Sequence, residues 1–455
     1  MKRFFKIPEE YTFSGKYILL FMLPIIFEQM LTSSLAIADT FMVSMLPDSK
    51  TALAGIANVS RIDTLFKQIF VALAAGCGIF VAQYLGAGKK EEANRALKNG
   101  VYSMVAIATA LAVIMEIFKA PILNLLFGKV EEQVMQQSLT YYSITIIAYP
   151  FMALFNAGTA SFRSMGKPKA TFIASVAMMA INLSLKYVFL FPLGMGVLGA
   201  GLSLLIAYAI TGVVMFVMLL SPKHPAHIEK PLDVRVSFPL LGKIYSVALP
   251  TGIENGLFQL GALILQTLVA TLGTAAINAN HLTNTLTAVT LTTATSFSLT
   301  VLPIVGRCMG AKKPHEAEFY IKHLSKVAHA VLLPIAALAI ILSPWLVSLF
   351  NYDAETSTLA VRCMIIYYAC TPLFYPEAFC ITYALRSAGD TRFTMLASVS
   401  TMFLFRIGFA YALEYIFHLG ILSIWVAMVS DWFIRGIIYV IRFRNGKWKK
   451  HNLIH

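Results

Sequence analysis

The sequence predicts an all-α polytopic membrane protein, with twelve transmembrane helices in two six-helix bundles that are parallel repeats of one another. Three observations carry this reading: composition, internal duplication and the placement of charge. Of 455 residues, 58% are hydrophobic and only 13% are charged, with a mean hydropathy of +0.73, which excludes an ordinary soluble domain. A span needs about 20 mostly apolar residues to cross a hydrocarbon layer of ~30 Å. Six stretches qualify in the first half, at approximately Tyr17–Met45, Ala52–Leu85, Ala96–Phe118, Ser138–Ala160, Ala170–Phe191 and Val197–Leu220. Six more follow, at approximately Leu240–Leu272, Ala276–Arg307, Phe319–Leu342, Thr356–Leu385, Phe393–Phe417 and Ile421–Ile441.

The two sets are copies. Pro24-x-x-x-Glu28 returns as Pro250-x-x-x-Glu254, an offset of 250 − 24 = 226. Gly86-Ala87 returns as Gly310-Ala311 (310 − 86 = 224), Arg163-Ser-x-Gly166 as Arg386-Ser-x-Gly389 (386 − 163 = 223), and Gly196-Val-Leu as Gly420-Ile-Leu (420 − 196 = 224). Four matches in one order at nearly one spacing indicate duplication, and an even number of spans per copy makes the copies parallel. Residues 1–220 form the first lobe and 240–455 the second. The proline-rich segment 221–239 is the linker between them.

The net charge of +14 reflects topology rather than a nucleic-acid surface. Basic residues crowd the termini and the even-numbered connections, as at Lys89, Lys90, Arg163, Lys167, Lys312 and Lys313, whereas the odd-numbered connections hold only Lys50, Lys119 and Lys129. The positive-inside rule then puts both termini and the linker in the cytoplasm of a cell-membrane protein. The first apolar stretch is too long for a signal-peptide core and is retained as a span. Five cysteines without CxxC spacing support neither a disulfide framework nor a zinc site; four read as packing residues, and Cys308, at a span end, as the accessible one.

Prolines inside spans (Pro24, Pro150, Pro250, Pro303, Pro334, Pro372 and Pro376) read as static bends or as hinges, the matched Pro24 and Pro250 favouring hinges. Span eight is rich in threonine, from Thr283 to Thr295; its hydroxyls either bond back to the preceding turn or face a polar cavity.

Charges inside spans are the candidates for chemistry, because each costs roughly 2.5–3.5 kcal/mol at mid-bilayer unless it is paired, hydrated or used. Asp63 with Lys67 and Asp431 with Arg435 have i,i+4 spacing with the acid first, and read as structural intramembrane pairs. Glu28, Asp39, Glu254 and Glu377 have no such partner and are cation-coupling candidates, since a desolvated carboxylate can load and release a proton near neutral pH. Asn156, Asn182 and Ser203 on neighbouring spans could supply further oxygens beside Asp39. At the repeat offset Asp39 corresponds to Leu265, so any coupling chemistry there is confined to one copy.

At this point the chain resembles the multidrug and toxic compound extrusion (MATE) family, closest to its bacterial DinF-like branch. The likeness runs along essentially the whole chain. It rests on Leu23-Pro24 with ADTFMVS (Ala38–Ser44), AQYLGAGKKEEA (Ala82–Ala93), FRSMGKPKA (Phe162–Ala170) and LRSAGDTRF (Leu385–Phe393). The resemblance implies a V-shaped transporter that exports small amphipathic or cationic drugs or metabolites in exchange for H+ or Na+ by alternating access of its two lobes. It likens Asp39 to the coupling aspartate of span one in DinF-like members, and Glu254, less closely, to the span-seven carboxylate of the NorM-like branch. One departure matters: Lys186 stands where DinF-like members often carry an aspartate in span five. Either Lys186 pairs with Asp39, so that protonating the carboxylate breaks the pair, or it snorkels toward an interface.

A lipid-linked sugar flippase of the related superfamily is the alternative. An intramembrane enzyme is less favoured, because no HExxH or Ser/His site is evident. The expected partners are a small-molecule substrate and membrane lipid, with no nucleic acid. The expected state is a monomer, with no cofactor beyond the coupling H+ or Na+ and no metal. GxxxxGK[ST] is absent, so ATP is not the direct energy source.

Overall fold

The computed structural model describes residues 7–46, 49–128, 130–233, 235–451 and 453–454, so Lys129 lies outside the described residues. Twelve helices are long and apolar enough to cross a membrane, and the described residues contain no strand. They are α1 Gly15–Ser44, α2 Ser49–Gly86, α3 Lys90–Phe127, α4 Glu132–Ser164, α5 Pro168–Leu190, α6 Gly196–Leu219, α7 Phe238–Thr271, α8 Thr274–Gly310, α9 Pro314–Ser348, α10 Ala354–Ala388, α11 Thr391–Phe417 and α12 Leu422–Arg444. The protein is therefore an all-α, multi-pass membrane protein of the expected class. The 38 residues of α2 or α3 span about 57 Å at 1.5 Å per residue, so these helices run well beyond a ~30 Å hydrocarbon layer.

Two compact units form, and their limits fall inside helices rather than at the linker. One comprises Leu23–Gly252; the other comprises Met1–Met22 with Ile253–His455. The expected division at 1–220, 221–239 and 240–455 follows the repeat, whereas the compact units change over next to Pro24 and Pro250.

In the Leu23–Gly252 unit the linker is stitched to α3 instead of hanging free. Asn94 accepts from the His227 backbone N–H at 2.9 Å and donates to Glu229 at 2.7 Å, Tyr102 donates to the Pro231 carbonyl at 2.7 Å, and Asn99 accepts from the Ser237 N–H at 2.5 Å. Ala226 and Ile228 are fully buried there. In the other unit the segment before α1 docks on the first turns of α9. Thr12 donates through both its N–H and its hydroxyl to Glu316, and Phe13 exchanges hydrogen bonds with the Tyr320 hydroxyl at 2.7 and 2.9 Å.

The duplication extends to backbone conformation. Gly166 and Gly389, the matched glycines after α4 and α10, both have positive φ (79° and 106°), a conformation that needs a residue without Cβ strain. Two further interior prolines, Pro121 and Pro344, are also matched (344 − 121 = 223).

The repeat offset falls from 226 to 222 by the middle of α10 and then rises by two single-residue insertions, each of which coincides with a π-helical turn. Pro150 and Pro372 are offset by 372 − 150 = 222, but Arg163 and Arg386 by 223, so α10 gains one residue relative to α4. A π-helical turn occupies Pro376–Cys380 in that interval. Gly166/Gly389 are offset by 223 and Gly196/Gly420 by 224, and the second π-helical turn, Met402–Gly408, lies in that interval in α11. An extra residue in a helix is absorbed as an i→i+5 turn, and such turns often sit at functional sites.

Two sequence readings need correction or resolution. Cys308 is buried beside α9, and the half-buried cysteine is Cys370. The threonines of α8 take the back-bonding option: Thr283, Thr285, Thr287, Thr292, Thr293 and Thr295 each donate to the carbonyl four residues earlier.

Candidate ion-coupling site

The twelve residues singled out in the sequence separate into clasps, braces and open pairs. Glu28, on α1 one turn after Pro24, is buried and accepts from Arg163 at 2.7 Å, from the Thr171 hydroxyl at 2.8 Å and from the Ser175 hydroxyl at 3.1 Å. Its repeat mate Glu254 is buried on α7 and lies 2.6 Å from Arg386. Each copy therefore closes the same clasp: the carboxylate four residues after the proline meets the arginine of the R-S-x-G turn. Both carboxylates hold a guanidinium in this structure.

Asp431 and Arg435 form a brace within α12. Both side chains are buried, Nη2 contacts Oδ1 at 2.8 Å and Oδ2 at 2.5 Å, and the guanidinium lies 4.8 Å from the Phe258 ring. The expected partner brace, Asp63 with Lys67, does not close. Asp63 instead accepts from the Tyr149 hydroxyl at 2.8 Å and from Thr145 at 3.4 Å, while Lys67 stays half-buried within electrostatic reach. The reason is burial: Asp63 is 2% exposed, and a fixed phenol on α4 satisfies a buried oxygen at lower entropic cost than a long lysine chain.

Asp39 and Lys186 do meet. Lys186 Nζ lies 2.6 Å from Asp39 Oδ1; the lysine side chain is 4% exposed and the aspartate 27%. The pair joins α1 to α5 and is lopsided, with a buried cation held by a carboxylate that retains an open side. Tyr141 on α4 is within electrostatic reach of both Asp39 and Asp63. Of the three expected oxygen donors, Asn156 bonds to the Met152 carbonyl and Ser203 to the Ala200 carbonyl, each inside its own helix. Asn182, one turn before Lys186, is fully buried, and its amide oxygen and nitrogen have no hydrogen-bond partner among the described residues.

Glu377 lies in the π-helical turn of α10, and its Oε1 makes two hydrogen-bond contacts with α9: His329 Nε2 at 2.7 Å and the donating Ser325 hydroxyl at 3.4 Å. Three functional side chains lay outside the sequence reading. Arg163 and Arg386 were counted with the basic connections although their motif was seen to repeat, and pairing the repeated arginines with the repeated glutamates was the available signal. His329 gave no local signal beyond being a histidine inside a span, because its partner lies 48 residues away.

Comparison with known proteins gives the family and the fold. The MatE family model matches residues 24–188 and 250–412, one match in each repeat. The chain is 25% identical over 460 residues to the transporter YisQ of Bacillus subtilis, covering 97% of this chain and 96% of the relative. It is 22% identical over 446 residues to a probable multidrug resistance protein NorM of Thermotoga maritima (95% and 92% covered). Among solved structures, a MATE in the bent conformation superposes with a TM-score of 0.87 at 17% identity (94% of both chains), and the Vibrio cholerae MATE transporter VcmN with 0.86 at 18% (95% and 98%). A fold of twelve helices in two copies, matched by the family model in both copies, makes this chain a member of the MatE family and a multi-pass membrane transporter.

Proposed function

We propose that the chain is a secondary antiporter that exports small amphipathic or cationic compounds in exchange for protons, with Asp39 and Lys186 as the coupling pair. The observation that carries this reading is the 2.6 Å contact between a buried lysine and a part-open aspartate. An ammonium already occupies the place a sodium ion would take beside Asp39, so the ion that competes for the carboxylate is H+. Protonating Asp39 cancels the attraction and leaves Lys186 buried without a counter-charge. Breaking a buried ion pair costs about 3–5 kcal/mol, and the open side of Asp39 points to the lower end of that range. About 3 kcal/mol biases a two-state equilibrium on the order of 100-fold, enough for one proton to shift the protein between states open to opposite sides.

Multidrug resistance proteins among the relatives support a drug-like substrate, and the FAD transporter of Shewanella oneidensis, 22% identical over 312 residues, extends the range to metabolites. The charge asymmetry of the connections supports cytoplasmic termini in the cell membrane. The test is flux of ethidium, an aromatic cation, in inverted vesicles under an imposed ΔpH or ΔNa+, for wild type, Asp39→Asn and Lys186→Ala. ΔpH should drive flux in the wild type and fail to do so in Asp39→Asn. Flux indifferent to both gradients sinks the antiport reading, and a Lys186→Ala protein with unchanged flux and pH dependence sinks the coupling pair.

A further inference from the structure

A second titratable pair lies in the other unit, at the floor of a cavity of about 490 Å³ between α9, α10 and α12. His329 and Glu377 meet there, and the backbone determines which protons they carry. Pro376 has no N–H, so the carbonyl of Pro372, four residues earlier, loses its helical donor. His329 Nδ1 lies 2.5 Å from that carbonyl oxygen, which can only accept; Nδ1 therefore carries a hydrogen. The ring's other nitrogen, Nε2, is 2.7 Å from Glu377 Oε1. Two bare lone pairs do not approach so closely, so a second hydrogen lies between them, either on the nitrogen as imidazolium–carboxylate or on the oxygen as imidazole–carboxylic acid.

We propose that His329 and Glu377 form a binding site for one exchangeable proton in the second unit, opening on this cavity. Loaded, the pair is neutral overall. Unloading passes the shared proton to cavity water and leaves neutral imidazole, still donating through Nδ1 to Pro372, beside a Glu377 carboxylate with net charge −1. The Nε2 lone pair then faces an anionic oxygen, so the unloaded pair opens.

The surroundings are arranged to accept that negative charge. Glu318, Lys322 and Lys326 from α9 and Arg444 from α12 line the same cavity. Glu318 is bridged by both Lys322 and Lys449, a cluster that sums to +1, and Lys326 and Arg444 add to the positive field on the pair. The α8 side chains bonded at this turn and just before it are neutral, Ser298 against Cys380 and Thr295 against Tyr375. Beyond the turn, Arg386 is committed to Glu254. Glu377 Oε2 is buried and has no hydrogen-bond partner among the described residues. On α12, a Cβ at Gly436 would lie 3.1 Å from the Glu377 Cβ, so this glycine gives the extra residue of the π-helical turn its room.

The repeat supports a specific role for the pair. In the first unit the matched helices α3, α4 and α6 also line a cavity, with Tyr102, Val105, Ala106, Leu154 and Phe216, which the linker and α7 complete. His329 falls at Val105 or Ala106 (329 − 224 or 329 − 223), and Glu377 at Leu154 or Phe155 (377 − 223 or 377 − 222). Both partners are apolar in the other copy, and the residue that separates the registers is the π insertion that carries Glu377.

This site goes beyond the Asp39 reading and stands without it. The test uses the purified full-length chain in lipid nanodiscs, with 15N-labelled histidine and the His329 resonances identified by their loss in His329→Gln. Nδ1 should stay protonated from about pH 5 to about pH 9 while Nε2 titrates, and Glu377→Gln should shift the Nε2 titration. A bare Nδ1, or titration indifferent to Glu377→Gln, overturns the proposal. In proteoliposomes carrying ethidium, the H+/ethidium ratio read from the reversal gradient should drop by one in both Glu377→Gln and His329→Gln; a ratio unchanged in both also overturns it. Failure of the Asp39 reading would leave the resonances as described, so the two ideas fail separately.

Discussion

Replacing Arg386 with methionine tests whether the repeated clasps hold each unit together. Glu254 and Arg386 have side chains only 6% and 8% exposed, and among the described residues the guanidinium is the one charged group bonded to that carboxylate. Methionine fills much of the volume but leaves a buried, uncompensated anion, a change that costs about 3–5 kcal/mol. Converted at about 2–4 °C per kcal/mol for a unit of this size, the melting midpoint should fall by roughly 10 °C. Removing both charges in Glu254→Gln/Arg386→Met eliminates the orphaned anion and should restore most of that loss. The assay has a built-in reporter, because all four tryptophans (Trp345, Trp425, Trp432 and Trp448) belong to this unit. Thermal unfolding of the detergent-solubilised protein followed by tryptophan fluorescence therefore reads the unit in question. Arg163→Met is the internal comparison: Glu28 keeps Thr171 and Ser175, two hydrogen bonds to a charged group at about 1.5–3 kcal/mol each, so the loss should be smaller, about 1–3 kcal/mol by calorimetry. If Arg386→Met shifts the midpoint by less than its own double mutant does, the clasp is not the stabilising element argued here.

Three further outcomes follow from the same contacts. Asp39→Asn should destabilise the first unit more than Lys186→Met does, since the former leaves the more buried member of the pair alone; calorimetric midpoints of the two variants decide it. Gly76→Ala places a Cβ 2.6 Å from that of Ala248, where α2 meets the start of α7, and should cost about 1–3 kcal/mol, with Ala248→Gly as the rescuing second change in a denaturation series. His224, in the linker, has its pKa lowered by burial, by Lys167 (whose ammonium is 2.7 Å from Nδ1) and by His227. The unfolded chain takes up that proton near pH 6.5 and the folded chain only at lower pH. Stability should therefore fall as pH drops through that window, and His224→Gln should flatten the slope of midpoint against pH.

The sequence revealed what depends on solvent and on spacing along the chain. Apolar length and proline spacing gave twelve spans and two copies because the bilayer imposes one length on every helix. The Asp39–Lys186 meeting was readable as one of two options, because the family resemblance set Lys186 at a span-five position associated with the span-one aspartate. Partners across helices were harder to read. Asp63 was assigned to Lys67 by i,i+4 spacing, yet a tyrosine 86 residues away on α4 holds it. Such a choice is made by packing, which one-dimensional spacing does not encode. The linker was read as a tether from its prolines, but Asn94 and Asn99 on α3 supply side-chain bonds that tie it down. The π-helical turns leave no compositional mark at all. They become visible only when the small drift in repeat offset, 222 to 223 to 224, is taken as insertions rather than noise.

That drift also separates scaffold from chemistry. Glu28 with Arg163 and Glu254 with Arg386 persist in both copies, both members each time, as expected of a clasp that any six-helix unit of this kind needs. Three pairs inside the spans, Asp39–Lys186, Asp431–Arg435 and His329–Glu377, exist once, and each lacks both of its members in the opposite copy. Asp39 falls at Leu265 (39 + 226) and Lys186 at Ala410 (186 + 224). Asp431 falls at Ala207 (431 − 224) and Arg435 at Thr211 (435 − 224), and the His329–Glu377 pair is replaced by apolar residues on both helices. An orphaned charge at these depths costs more than a pair or than none, so the members of a pair must be gained or lost together. Among the single-copy pairs, the Asp431–Arg435 brace is sealed, with both side chains at 2% exposure or less. Of these three, Asp39–Lys186 and His329–Glu377 combine single-copy occurrence with an open side, at 27% for Asp39 and 33% for His329. A proton must reach a site from water, so accessibility together with asymmetry picks these two pairs, one in each unit, as the places where a symmetric scaffold carries unsymmetric chemistry.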